Sequence, residues 1–382
     1  MKIVVAIDSL KGCLSSLEAG SAISEGIHKA FSDADVIVRP LADGGEGTVN
    51  ALTYGMNGHI EKVNVTGPTG SLVEAEYGII DETKTAIIEM SSAAGITLVD
   101  ECERNPLNTT TYGVGEMIAD AINKGCLEFI VGIGGSATND GGVGMLQALG
   151  YKFLDKNGKQ VPFGAKGLSM LEKISDENVI SDLKKCHFKV ACDVTNTLCG
   201  EHGCSAVFGP QKGATPAMIM QMDKWLSHYA YLTHEKYPKP DMNMPGTGAA
   251  GGLGFAFLSY TDAVLESGID IILKATKLED YIKEADIVIT GEGRLDAQTV
   301  MGKAPIGVAH LAKKYNKTVL AFSGCVTEDA TLCNQHGIDA FFPILRTITT
   351  LDEAMKPENA RKNMIATVEQ VFRGYRAFYK EK

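Results

Sequence analysis

The first 54 residues, MKIVVAIDSLKGCLSSLEAGSAISEGIHKAFSDADVIVRPLADGGEGTVNALTY (1–54), alternate between two periodicities. Ile3 to Ile7 is a short apolar run of strand length. From Ser15 to Phe31, Leu17, Ala22, Ile23, Ile27 and Phe31 recur at roughly helical spacing. Val36 to Leu41 reads as a second strand, and Gly47 to Tyr54 opens a second helix. Strands alternating with helices imply parallel strands joined by right-handed crossovers.

The rhythm breaks at TGPTGSLVEAEYGIIDETKTAIIEM (66–90). Turn residues at Gly67-Pro68 and Gly70-Ser71 precede strand-like runs with no helix between them, which predicts an antiparallel ribbon and the start of a second domain. That region also holds FIVGIGGSATNDGGVGMLQALG (129–150), a strand at Phe188 to Cys192 and a helix at Pro216 to Leu232. HEKYPKPDMNMPGTGAAGG (234–252) reads as a long surface loop, with a helix expected from Leu253 to Leu265. The βα rhythm returns at Ala285, with strands at 287–290, Val319 to Phe322 and Ala340 to Ile344, and helices at Ile306 to Tyr315 and Asn359 to Tyr379. The expected fold is α/β with two unlike domains. A discontinuous, parallel-sheet, Rossmann- or flavodoxin-like domain uses residues 1–65 and 280–382, and a mixed α/β domain (66–279) is inserted in it.

Composition narrows the function. At 382 residues, two domains are the default. A net charge of −11 disfavours nucleic acid as a partner, because phosphate-backbone binding needs a basic face. It leaves room for small anions held by a few local cations. No apolar run reaches membrane-span length, and the start reads as a strand rather than a signal peptide, so a cytoplasmic location is expected. The nine cysteines contain no CxxC pair and are expected as free thiols; Cys192, Cys199, Cys204 and His202 fit no zinc spacing. No heptad pattern is present, which leaves a monomer or a homodimer.

Five polar or glycine-rich turns follow expected strands: 8–12, 41–47, 134–142, 192–196 and 290–296. In parallel sheets, ligands collect at the carboxyl ends of strands, so turns of both domains are expected to converge on one cleft. Asp8, Asp43, Glu46, Asp140, Asp193, Glu292 and Asp296 supply carboxylates there, and Lys11, Arg294 and Lys303 supply cations. Carboxylates with a few cations suit Mg2+-assisted phosphoryl transfer, which is mostly positioning and charge neutralisation. In 134–142 glycines let backbone N–H groups approach an anion, and an expected helix start adds its dipole. Each element also has a structural reading. Asp8 and Asp43 suit helix N-caps, Asp193 a cap or turn, Arg294 and Asp296 a mutual ion pair, and Lys11 a solvated loop. Gly246 to Gly251 satisfies GxGxxG but follows Met244-Pro245 rather than a clean strand, so it reads as a hinge, a helix entry or a phosphate-contacting loop.

Taken together, DSLKGCLSS, PLADGGEGT, GIGGSATNDGG, CDVTN, FGPQKGA, GTGAAGGLG and TGEGRLDAQTVMGKAP resemble, in order, the motifs of the bacterial type I glycerate kinases. The likeness runs from Met1 to about residue 375. It departs at Leu10 and Cys13, where family members often carry Phe and Ser, beside Lys11 but not at it. The resemblance implies ATP-dependent, Mg2+-assisted phosphorylation of D-glycerate, usually at the 2-hydroxyl, and two unlike α/β domains with a cleft between them. On chemical grounds Lys11 or Arg294 is then expected to hold the substrate carboxylate, and Asp193 or Asp43 to orient or deprotonate the attacking hydroxyl. Asp296 is expected to hold Mg2+, with Glu292 as a second ligand. Gly134, Gly135, Ser136, Thr138 and Asn139 are expected to cradle phosphates, with Gly248 as a further nucleotide contact. Two rivals are a dinucleotide-dependent oxidoreductase using the Gly246 loop and a non-catalytic sensor of an anionic metabolite.

Overall fold

Ile3, Val4 and Val5 pair in parallel on both sides, with Val36 to Val38 and with Ile287 to Ile289, so the two ends of the chain share one sheet. The computed structural model describes residues 1–42, 44–45, 47–237 and 241–378. In chain order the strands are β1 (Lys2–Val5), β2 (Asp35–Val38), β3 (His59–Thr66), β4 (Leu72–Ile80), β5 (Thr85–Glu89), β6 (Glu128–Gly132), β7 (Lys152–Leu154), β8 (Lys173–Ser175), β9 (His187–Ala191), β10 (Asp262–Glu266), β11 (Ile287–Leu295), β12 (Thr318–Val326) and β13 (Ala340–Pro343).

One unit comprises Met1–Asp43, Asn50–Met56 and Ile269–Lys382. Its five-stranded sheet has the order β13-β12-β11-β1-β2, and its strand pairs are parallel. Numbered within the unit, that is the 2-1-3-4-5 order of flavodoxin-like sheets, with a topological switch between β1 and β11. Side chains alternate across a strand, so Ile3 and Val5 face one layer while Val4 and Val288 are buried on the other face. The first layer is the helix pair Ser16–Ala30 and Pro357–Phe378, whose Ile23, Ile27, Met364 and Phe372 share a core with Ile3 and Val5. The helix Ala304–Lys314 packs on β11 and β12.

The other unit comprises Gly44–Val49 and Asn57–Gly268. Its six-stranded sheet runs β10-β9-β6-β5-β4-β3. The β3–β4 and β4–β5 pairs are antiparallel, and β5, β6, β9 and β10 run parallel. Phe129 of β6 and Phe188 of β9 stack with ring centroids 4.6 Å apart in its core.

The fold class is the mixed α/β architecture expected, and the details differ where local pattern is weakest. Residues 59–65, read in sequence as part of the first domain, pair with β4 and so lie in the second sheet. The helix Gly268–Ala275 falls almost wholly in the first unit. The crossings therefore lie away from 65/66 and 279/280. Residues 262–265, expected to be helical, form β10, because pairing with β9 outweighs the helical reading of a short apolar run. Residues 290–295, read as a turn, extend β11 in register with β12 as far as Leu295 opposite Val326. Gly291 allows this. A Cβ there would stand 1.8 Å from the Phe322 carbonyl oxygen, so two backbones meet where only hydrogen fits.

That close approach predicts that Gly291→Ala destabilises the first unit by about 3 kcal/mol or more, since backbone rather than a flexible side chain must yield. Urea denaturation checks it; a midpoint equal to the native one would show that β11 and β12 separate there at no cost.

Candidate active site

The switch point between β1 and β11 leaves a crevice at their carboxyl ends, where a parallel sheet presents its loops. Pairing continues past β1, with Ala6 N–H donating to Ile289 O (2.7 Å) and Asp8 N–H to Gly291 O (2.9 Å), so Asp8 is held against β11 and buried. The next loop folds on itself through reciprocal Leu10–Leu14 backbone bonds, with Gly12 in the left-handed region at φ +72°. Lys11 is exposed at its tip. The following helix is capped by Ser15, which exchanges hydrogen bonds with Glu18. Ser15 rather than Asp8 is therefore the N-cap, and the capping explanation of Asp8 falls away.

A cavity of about 550 Å³ opens here in the first unit. Asp8 and Lys11 line it from the β1 side, and Glu292, Arg294, Asp296 and Lys303 from the β11 side. Glu292 Oε1 accepts from Thr299 Oγ1 (2.7 Å), and its Oε2 lies 3.6 Å from Lys303 Nζ. Asp296 Oδ1 accepts from Gln298 N–H (2.9 Å), and its Oδ2 lies 3.4 Å from Arg294 Nε. The expected Arg294–Asp296 pair is thus present but long. Arg294 is 63% exposed in that pair, so water screens it and it contributes little stability. Ser9 Oγ, buried at the cavity wall, has no hydrogen-bond partner among the described residues.

The glycine-rich loop of the second unit is built differently. Gly134 and Gly135 are exposed, while Ser136, Thr138, Asn139 and Asp140 are buried. The Asp140 carboxylate accepts from Thr111 N–H and Oγ1 and from the N–H groups of Gly142 and Gly144. The helix Val143–Ala148 that follows is short, and its first amides are occupied by Asp140. The expected dipole-assisted anion site at this helix start is therefore already filled by the protein's own carboxylate. Burial raises the Asp140 pKa, against the four donors that favour its charge. Asn139 Nδ2 donates to Ser205 Oγ (2.8 Å). Beneath the loop lies Lys212, only 2% exposed, whose Nζ donates to Ser136 Oγ (2.7 Å) and Thr138 O (2.6 Å).

The comparisons with known proteins cover the whole of this arrangement. The model of the glycerate kinase family matches residues 3–376. The chain belongs to the glycerate kinase family. As a member it is a kinase, a phosphotransferase. It is similar to a glycerate kinase of Haemophilus influenzae, with 48% identity over 373 residues and 98% of each chain covered. A glycerate 2-kinase of Escherichia coli K12 is also 48% identical, over 96% of this chain and 98% of its own. A crystal structure from Salmonella typhimurium LT2, designated provisionally glycerate kinase 2, superposes with a TM-score of 0.92 at 46% identity and covers 100% of both chains.

Within this glycerate kinase fold the structure gathers Lys11, Glu292, Arg294 and Asp296 into one cavity and adds Asp8 and Lys303. Asp193 sits after β9, exposed, with Oδ1 accepting from Gly268 N–H (3.0 Å). Asp43 and Glu46 lie outside the described residues. Gly248 is buried, and a Cβ there would stand 2.1 Å from Thr197 O. Gly251 is pressed as closely on Thr138 O. Backbone packing thus accounts for these GxGxxG glycines, and the dinucleotide-loop reading loses its support. Lys212 was missed as a site-shaping residue. Its only signal is a lysine between Phe208 and Ala214 in a Gly- and Pro-containing turn, and burial cannot be read from that.

Burial drives the Lys212 pKa down to about 8, opposed by Cys204 and Asp140. Between pH 8 and 10.5 the unfolded chain holds this proton and the folded chain sheds it, so native stability should rise with pH in that window. The stability of the native protein minus that of Lys212→Met should increase by on the order of 1–3 kcal/mol from pH 8 to 10.5, read from paired urea titrations. A pH-independent difference would mean that Lys212 is not titrating there.

Proposed function

We propose that this protein transfers the γ-phosphoryl group of ATP to the 2-hydroxyl of D-glycerate, with Mg2+, giving 2-phospho-D-glycerate and ADP. The observation that carries the reading is the first-unit cavity, where the carboxylates Asp8, Glu292 and Asp296 and the cations Lys11, Arg294 and Lys303 surround one space. Family membership supports the reaction class, and the name of the Escherichia coli relative supports the choice of hydroxyl. A protein of net charge −11 must bind two anionic substrates with local cations, because its overall field repels them.

In this reading Lys11 or Arg294 pairs with the glycerate carboxylate, and Asp193 or Asp43 orients the 2-hydroxyl and accepts its proton. The exposed backbone at Gly134 and Gly135 offers N–H groups to phosphate oxygens. The residues fit Mg2+. This ion commonly takes one or two protein carboxylates and completes its shell with water and phosphate oxygens. Glu292 and Asp296 supply two carboxylates to one cavity, and their lysine and arginine partners stand at 3.6 and 3.4 Å, long enough for a cation to compete. Among the described residues no group of three or more metal-ligating side chains occurs. Bound there, Mg2+ would neutralise charge on the transferring phosphates.

Incubation with ATP, Mg2+ and D-glycerate should release ADP, and phosphorus NMR should show the 2-phosphate; a 3-phosphate would overturn the regiochemistry, and inertness toward D-glycerate with turnover of another hydroxy acid the substrate. Asp296→Asn should lower kcat about a hundredfold or more with unchanged circular dichroism. Near-native turnover at saturating Mg2+ would remove Asp296 from the metal. Lys11→Met should raise the KM for D-glycerate far more than that for ATP; a fall in kcat alone would place Lys11 on the phosphoryl group instead.

A further inference from the structure

The first-unit cavity has two unlike sides. Its floor is the charged set already described. Its apolar wall comes from the segment after β13, with Ile344, Leu345, Leu351, Ala354 and Met355, together with Leu10. Ile344 and Leu10 belong to the core of the unit, but the rest of the wall is not fully buried. Leu345 is 42% exposed, Leu351 76% and Met355 37%, so the segment holds aliphatic side chains toward solvent at the rim of a deep opening. Grouped apolar surface beside a polar-floored cavity marks a binding site more often than chance exposure does.

The substrates differ in what they can offer such a wall. D-glycerate carries an oxygen on each of its three carbons and has almost no apolar surface. It accounts for the charged floor and leaves the wall unexplained. A nucleotide is amphipathic in the matching sense, with a flat apolar base at one end and a polyanion at the other. The cavity of about 550 Å³ is of the size that encloses nucleotide-sized ligands and is far larger than a three-carbon acid needs. Two polar groups are suitably placed. Asn363, on the helix Pro357–Phe378, lines the cavity and brings a side-chain amide, which can donate to and accept from the edge of an adenine ring. Ser9, at the cavity wall, has a buried Oγ without a hydrogen-bond partner among the described residues. The sequence assigned the nucleotide to residues 134–139 of the second unit, but Thr138 and Asn139 are buried there, and what remains exposed is Gly134 and Gly135.

We propose that the wall formed by Ile344, Leu345, Leu351, Ala354 and Met355 is the base pocket for ATP. Asn363 reads the edge of the ring, and the triphosphate runs toward Arg294 and Lys303. The base lies between aliphatic side chains, with the polarisable Met355 sulfur available to the ring face. The assignment rests on the reading of this protein as an ATP-dependent kinase, and it names which unit carries the nucleotide and by which residues.

The full-length protein is titrated with a fluorescent N-methylanthraniloyl-ADP, and KM values for ATP and D-glycerate are measured for Ala354→Trp, which fills the pocket, and Leu345→Asp, which charges its rim. Both sites are partly exposed, so both variants should keep native circular dichroism. Expected are about a tenfold or greater rise in the nucleotide Kd and in the KM for ATP, with the KM for D-glycerate within about twofold of native. Asn363→Ala should narrow the preference for ATP over GTP. If both wall variants fold and bind nucleotide as the native protein does, the base lies elsewhere and the assignment falls, while continued ADP release leaves the kinase reading intact. If the native protein binds the nucleotide at this wall but releases no ADP with any hydroxy acid, the function fails and the pocket stands. If the wall variants change only the oligomeric state in light scattering, the surface is a contact between copies of the chain, and the base pocket is wrong.

Discussion

The parallel pairing of β1 with β11 is the constraint on which the first unit depends. It joins residues 284 positions apart in the chain, with Lys2 N–H donating to the Asp286 carboxylate at its start and Asp8 N–H to Gly291 O at its end. Such a contact closes a very long loop and must be supported by burial on both faces. Ile3 and Val5 on one side and Val4 and Val288 on the other provide it. Without this pair there would be no switch in strand order, and the loops after β1 and β11 would not share a crevice. The candidate active site is thus a consequence of topology before it is a matter of side chains.

Charge is then distributed against the overall field. The chain is acidic, yet the crevice gathers Lys11, Arg294 and Lys303 beside its carboxylates, with the Arg294–Asp296 and Lys303–Glu292 pairs at 3.4 and 3.6 Å. Loose, solvent-screened pairs add little to stability, so these side chains can exchange partners with an incoming anion or cation at small cost. The second unit treats its polar groups the opposite way. Asp140 within the glycine-rich loop and Lys212 beneath it are buried and hydrogen-bonded to backbone and hydroxyl partners. A buried charge with its partners in place fixes local geometry, so this loop is a rigid element and the crevice an adaptable one.

Glycine has two uses in this protein that look alike in sequence. At Gly134 and Gly135 it leaves backbone exposed. At Gly248, Gly251 and Gly291 it lets one stretch of backbone press on another, against Thr197, Thr138 and Phe322. A glycine-rich motif therefore marks close backbone approach without saying whether the neighbour is a ligand or the protein itself.

What the sequence determined by itself was the periodic part. The alternation of β-branched strands and amphipathic helices in residues 1–54 and after 285 specified a parallel α/β unit, and seven ordered motifs specified the family. Lys11, Glu292, Arg294 and Asp296 were legible as candidate site residues because they lie at or just past the carboxyl ends of strands, which is where a parallel sheet presents chemistry. Tertiary structure decided the rest. Residues 59–65 joined the second sheet through pairing with β4, and 262–265 took their state from β9, since a short apolar run such as 263–265 has no preference strong enough to resist a pairing partner. The burial of Thr138, Asn139 and Lys212 and the joining of Ile344 and Met355 to one cavity wall depend on neighbours remote along the chain. A residue's own type and local spacing carry no record of those neighbours, so only the folded chain could show them.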